Sequence, residues 1–250
     1  MMNLAKGRRS RNLFDPSQTS PYRLSRSRLE SFRRCPRCFY LDRRLGVDQV
    51  SGPPFLLNLA TDTLLKKEFD VYRADQTPHP LMTAHGVNAV PFQHPELETW
   101  RENFQGVRFL HQATNLLITG AVDDVWVTPA RQLIVVDYKS TCSRKTPTLE
   151  GTWKQAYKRQ LEVYQWLLRR NGFEVSNTGY FVYVNAHTDR DGFHGRMDFA
   201  THLLKHAGSD AWVEGTIVAA HACLMNDAPP RAAKECEWCA YRDAAQLVGT

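Results

Sequence analysis

The chain has 250 residues, 42% of them hydrophobic, enough for one large core or two small ones, and no apolar run approaches the roughly 18 residues of a membrane span. Net charge is +6 but uneven: residues 1–45 hold 12 Lys and Arg against 3 Asp and Glu, so the rest is slightly acidic. A basic segment on a near-neutral body suits a polyanionic partner or a solubilising tail, and the start MMNLAKGRRSRN lacks the apolar stretch of a secretory signal, so a soluble cytoplasmic protein with no membrane partner is expected.

Residues 1–20 are polar, basic and aperiodic, and read as a disordered tail ahead of a single domain over 21–250. A helix is expected after Ser25, with Leu29 and Phe32 on one face, ending near Cys35-Pro36 because a residue before proline is pushed out of the α region. Arg26, Arg28, Arg33, Arg34, Arg37, Arg43 and Arg44 crowd this element, interleaved with Phe32, Phe39 and Tyr40. That mix suits a phosphate backbone with unstacked bases, or equally a solvated basic face over core aromatics. After Gly52-Pro53-Pro54, the spacing of Leu57, Ala60, Leu64, Leu65 and Phe69 predicts a helix from Leu56 to Tyr72 with those residues buried and Asp62 off the centre of their face.

Residues 74–115 hold Pro78, Pro80, Pro91 and Pro95 and scattered His79, His85, His94 and His111, with no ligand spacing, and read as loop and surface. Strands are expected at about 107–111, 116–127 and 132–139, the last two an antiparallel hairpin over the break at Thr128-Pro129-Ala130-Arg131. A polar loop then leads to a helix over about 152–171, stopped by Asn171-Gly172. A strand at 178–185, a possible strand at 192–200 and an amphipathic helix over about 209–225 complete the pattern. The whole predicts an α/β protein.

The hairpin carries the chemistry. Asp123, Asp124 and Asp137 stand in runs otherwise made of apolar residues, where ionised carboxylates are costly without a cation. Oxygen ligands alone select a hard ion such as Mg²⁺ or Mn²⁺. Asp137 and Lys139, two apart on a strand, face the same way. Lys139 among acids stays cationic, which suits stabilising charge on a phosphate better than acting as a base. The alternative is a plain salt bridge. A two-residue turn at Pro129-Ala130 pairs Val122 with Asp137 and brings Asp124 to that face, whereas one extra residue brings Asp123 instead. On the following helix, Gln160 and Tyr164 stand one turn apart in an apolar and aromatic stripe with Trp153, Tyr157 and Leu167, and could reach the same place.

Cys35 and Cys38, and Cys236 and Cys239, form two C-x-x-C pairs about 200 residues apart, which without a secretion signal favours metal over disulfides. Four thiolates bind tetrahedral Zn²⁺ or a [4Fe–4S] cluster. Cys142 and Cys223 are left over.

Three ordered steps resemble the RecB-type branch of the PD-(D/E)XK nuclease superfamily, which includes nucleases associated with CRISPR adaptation. They are Gly120-Ala121-Val122-Asp123 (G-x-x-D), Asp137-Tyr138-Lys139 (D-x-K) and Gln160 to Tyr164 (Q-x-x-x-Y). Ser27, Leu29, Phe32, Cys35 and Pro36 also resemble that branch's opening. The resemblance implies a restriction-endonuclease-like core, a mixed sheet flanked by helices, one or two Mg²⁺ or Mn²⁺ ions and phosphodiester hydrolysis. It picks Asp123 over Asp124 as ligand, with Asp137, and places Lys139, Gln160 and Tyr164 in the site. Asp62 stands where the branch often has a histidine, a third candidate ligand, with Glu68 a further possibility. Iron–sulfur members resemble one N-terminal cysteine plus three near the C-terminus; here the third falls on Ala245 and Cys38 is extra, so the tetrad is two plus two, a metal clasp joining the terminal segments. The resemblance implies a DNase of repair, recombination or defence, acting on single strands or ends; with no Walker motif in the chain, unwinding would need a helicase partner. The alternative is a non-catalytic nucleic-acid-binding module with a degenerate centre.

Overall fold

The computed structural model describes residues 8–49, 52 and 55–248. The beginning of the expected basic tail and the Pro53-Pro54 break lie outside the described residues. The fold is mixed α/β and divides into two compact units. The first comprises the N-terminal stretch, Leu110–Ile118 and everything from Ala211 onward; the second runs from the third helix to Phe109 and over Thr119–Asp210.

In the first unit, β1 (Tyr22–Ser25) leads into α1 (Arg26–Arg34). Cys35 is extended, with φ −160°, so α1 stops and α2 (Pro36–Leu45) starts with proline at its first position, where a missing N–H costs nothing. Leu29, Phe39 and Tyr40 are buried. Phe39 and Tyr40 therefore belong to the core and are not free to stack on bases. Part of the basic face is also spent internally: Arg9, Arg28 and Arg43 gather on the buried Asp42 carboxylate, and Arg33 lies over the Trp212 ring. Residues 9–14, expected to be disordered, are tied down, since Phe14 is buried edge-on to Tyr22 and His221 and Arg9 N–H donates to Gly46. The unit ends with α7 (Ala211–Met225) and α8 (Glu237–Val248).

The second unit is built on a five-stranded mixed sheet. Its helix α3 (Leu56–Asp75) is followed by α4 (Pro80–Ala84), β2 (Val90–Pro91) and α5 (Leu97–Arg101). The chain then passes between the units along β3 (Val107–His111) and β4 (Leu116–Gly120). The hairpin β5 (Asp124–Val127) and β6 (Leu133–Thr141), helix α6 (Gln155–Arg170), β7 (Thr178–Ala186) and β8 (Phe199–Ala207) complete it. Strand order is β2-β5-β6-β7-β8, antiparallel except for the β6–β7 pair, which α6 connects. One sheet face, with Trp126, Ile134, Val136, Tyr138 and Val182, packs on Phe69 of α3. The opposite face takes α6: Gly179 on β7 has no room for a side chain because Leu161 would lie 2.5 Å from its Cβ.

Four further expectations are corrected. The α3 face is buried only toward its C-terminal half: Phe69 is enclosed, but Ala60 is exposed, and Leu57 and Leu64 are 69% and 62% exposed. Residues 74–115 are not surface loop; Met82, Phe92, Leu97 and Trp100 are core. The expected strand 116–127 is broken at 121–123. The strand placed at 192–200 is instead β8, further along, and Phe193 and Met197 sit in the exposed loop before it.

Candidate active site

The hairpin turn decides which acid faces Asp137. Thr128 C=O accepts from Arg131 N–H at 2.9 Å, and Thr128 N–H donates to Gln132 at 3.0 Å. Arg131 adopts φ +64°, left-handed. The loop therefore has three residues, Pro129-Ala130-Arg131, one more than a two-residue turn. Asp124 consequently pairs with Val136, and continuing that register sets Asp123 opposite Asp137.

The two neighbouring aspartates then have different fates. Asp124 is fully buried on the α3 face, where its carboxylate takes Arg73 at 2.5 Å, Arg101 at 3.1 Å and the Tyr138 hydroxyl at 2.8 Å. It is saturated by two cations. Asp123 is half-buried in the break between β4 and β5 and accepts one backbone N–H, from Tyr138, at 2.8 Å. Burial and the adjacent Asp137 push its pKa up to about 6.

Asp137 is fully buried, and neither of its oxygens has a hydrogen-bond donor beyond its ion pair with Lys139. For Lys139, burial works against the charge, but Asp137 and Asp123 outweigh it and hold the pKa above the ordinary lysine value. Asp62, on α3, pairs with Lys66 at 2.8 Å; burial and the charge of Asp123 nonetheless raise its pKa. Asp123 thus feels the charge of Asp137, and Asp62 that of Asp123, although two lysines attend them. That donor set, with the orphaned oxygens of Asp137, fits a hard divalent ion. Among the described residues the group whose atoms already lie close enough to share one ion is the cysteine set described below, and the three acids do not form such a group. Glu68 is elsewhere, 2.9 Å from His79 and mostly exposed.

Helix α6 covers this face. Gln160 Nε2 donates to the Tyr164 hydroxyl at 3.0 Å, and the charge of Tyr164 is felt at Lys139. A Cβ on Gly120 would lie 2.7 Å from the Tyr164 ring, so the glycine of the G-x-x-D step is what lets that ring approach. One group escaped sequence reasoning. Lys154, just before α6, is buried with its ammonium 3.9 Å from the Trp153 ring centroid and 4.3 Å from that of Tyr183, whose hydroxyl accepts from it at 2.6 Å. Burial and the charge of Lys139 lower its pKa. Its spacing, three residues before Tyr157 and six before Gln160, marked it as a member of the same stripe.

The four cysteines of the two pairs meet in the first unit. Cys38 Sγ is 3.5 Å from Cys236 and from Cys239, Cys35 is 3.8 Å from Cys239, and all four sulfurs lie within 4.8 Å of one another. At Cys35 burial is outweighed by the N–H groups of Ala233 and Cys38, which bring its pKa down to about 7; burial raises Cys38 and Cys239. The set could hold a metal ion. Of the remaining thiols, Cys223 is buried and Cys142 exposed. A nucleobase-deaminase centre would add an H-x-E step to such cysteines. The chain's H-x-E triplet, His94-Pro95-Glu96, is not part of the cluster: His94 stacks 4.4 Å from Trp100 and accepts from Glu96 N–H.

A model of the PD-(D/E)XK nuclease superfamily matches residues 57–244. No curated protein matches the chain. Among the described residues no helix is long and apolar enough to cross a membrane.

Proposed function

The chain belongs to the PD-(D/E)XK nuclease superfamily, and we propose that it is a Mg²⁺- or Mn²⁺-dependent deoxyribonuclease of the RecB-type branch, with residues 21–250 as the working nuclease domain. The observation that carries this reading is the buried Asp137 carboxylate, facing Asp123 and lacking donors beyond Lys139. Asp123 and Asp137 would hold the ion, with Asp62 as third ligand. When bound, such an ion supplies Lewis acidity toward the phosphodiester and acidifies water. Lys139, kept cationic by the acids, stabilises charge developing on the phosphoryl oxygens; a group so reluctant to lose its proton is no general base. Gln160 and Tyr164 form a hydrogen-bonded pair that orients the Lys139 side of the site. The substrate is DNA, as single strands or ends, in repair, recombination or defence in the cytoplasm, with any unwinding left to a helicase partner.

The test is cleavage of single- and double-stranded DNA with Mn²⁺ by the full chain, Lys139→Ala and Asp137→Ala. Each substitution is expected to lower turnover by roughly 100-fold or more. Cleavage that survives both substitutions unchanged sinks the centre. DNA binding by the unaltered chain without any cleavage would instead favour the non-catalytic module.

A further inference from the structure

We infer that the cysteine tetrad is a structural site for a single tetrahedral Zn²⁺ ion, and not for the [4Fe–4S] cluster that the branch resemblance suggests. The size of the sulfur cage carries this inference. Four thiolates sharing one zinc each lie about 2.3 Å from it, so a regular tetrahedron has edges of about 3.8 Å. Three observed separations, 3.5, 3.5 and 3.8 Å, match that edge, and every pair lies inside 4.8 Å. A cubane gives each thiolate its own iron. Each edge then grows by an iron–iron spacing, to roughly 6 Å, and four inorganic sulfides must fit inside as well. No pair of sulfurs in this set reaches that span.

The backbone around the sulfurs has the same character. The two C-x-x-C pairs are built alike, one at the start of α2 and one at the start of α8, with the first cysteine just outside the helix and the second in its first turn. Both helices therefore turn their positive ends toward the thiolates. Ala233 N–H reaches Cys35 Sγ at 3.4 Å and Arg242 reaches Cys38 Sγ at 3.7 Å. These donors offset the net negative charge that four thiolates leave on one divalent ion. Two symmetrical pairs close a small cage, whereas the one-plus-three spacing of the cluster-bearing relatives has lost its third C-terminal position to Ala245.

The inference is independent of nuclease activity, and its test reads metal alone. The full chain is produced with iron and zinc both supplied and purified without oxygen, and its zinc, iron and acid-labile sulfide are measured with its visible spectrum. The expected result is about one zinc per chain, iron far below stoichiometric, and no absorbance near 400 nm. Exchange with Co²⁺ should give the intense visible bands of a tetrahedral thiolate site. Cys38→Ser and Cys236→Ser should lose the metal, and Cys142→Ser should keep it. Because the first two variants could misfold, the zinc content and cobalt spectrum of the unaltered chain decide. About four irons and four sulfides with a band near 400 nm would overturn the inference, as would a chain that takes up neither metal.

Discussion

Asp123 and Asp124 are adjacent, yet they make opposite predictions. Asp124 balances Arg73 and Arg101, both at least nine-tenths buried, so Asp124→Asn leaves two guanidinium groups short of charge in the core. Breaking a buried pair from one side costs about 3–5 kcal/mol, and denaturant unfolding should show a loss of that order. Asp123→Asn should cost nothing, because it removes a carboxylate whose charge is penalised by burial and by Asp137. The sign follows from the pKa. Asp123 in the folded chain is raised from 3.8 to about 6. The folded state therefore binds the proton more tightly than the unfolded state, and this contribution to stability is complete below about pH 4 and lost as pH rises through 6. Asp62 is raised too and acts in the same direction. Without added divalent metal, the melting temperature of the unaltered chain minus that of Asp123→Asn should fall between pH 4 and 6, and Mg²⁺ at pH 7 should recover the loss. A difference that stays flat across that window would remove Asp123 from the strained acid set. Apart from Lys154, the residue types of this centre were legible in the sequence. The choice between the two aspartates came from the family resemblance and not from the residues' own chemistry, because it depends on the parity of one turn, and Arg131 gives no sign in its side chain that it will adopt a left-handed backbone.

At the scale of elements, the site exists because β4 and β5 are separate strands. A continuous strand over 116–127 would have kept its ladder past Asp123 and left no gap for a carboxylate. The sequence alternation runs through the gap, so the break was invisible; the glycine at its edge was the available sign. Gly120 has α6 against its α carbon, with Tyr164 at 2.7 Å and Leu167 at 3.0 Å from any Cβ. Gly120→Ala should push α6 away, costing about 1–3 kcal/mol and lowering DNA cleavage with it. Gly215→Ala is the control. It sits exposed in α7 with nothing within 4 Å, and should gain about 0.5–1 kcal/mol from helix propensity alone. Equal effects at both positions would mean that the ring contact at Gly120 is unimportant. The same scale explains two other misreadings. Elements as short as α4, α5 and β2 hold less than two helical turns or one alternation, so periodicity had nothing to register while their residues entered the core. The heptad-like spacing at Leu57 and Leu64 was real, but a spacing does not say whether anything packs opposite it, and α3 there is exposed.

For the whole molecule, the chain puts its two candidate metal sites in different units, and they should respond to different treatments. An ion on the carboxylates of the second unit would be held through oxygen ligands, which exchange readily, so brief chelation with EDTA should abolish cleavage and Mg²⁺ or Mn²⁺ alone should restore it. The melt responds there only through the repulsion around Asp123 that such an ion would relieve. The tetrad differs because it ties together residues 201 apart in sequence, Cys38 and Cys239. A link closing so long a loop is worth about 5 kcal/mol in the chain-entropy model, as metal coordination couples directly to folding. For a chain of this size, that should appear as a fall of about 10–20 °C in melting temperature when the thiols are titrated with an organomercurial to displace the ion. Differential scanning fluorimetry across both treatments separates the two sites. EDTA should abolish activity with the smaller fall in the melt, and the mercurial should move the melt in proportion to the zinc released. A melt unchanged after the metal has left would show that the tetrad contributes nothing to holding the chain ends, and would leave the close approach of the cysteines to the packing of Ala232, Ala233 and Trp238 around them.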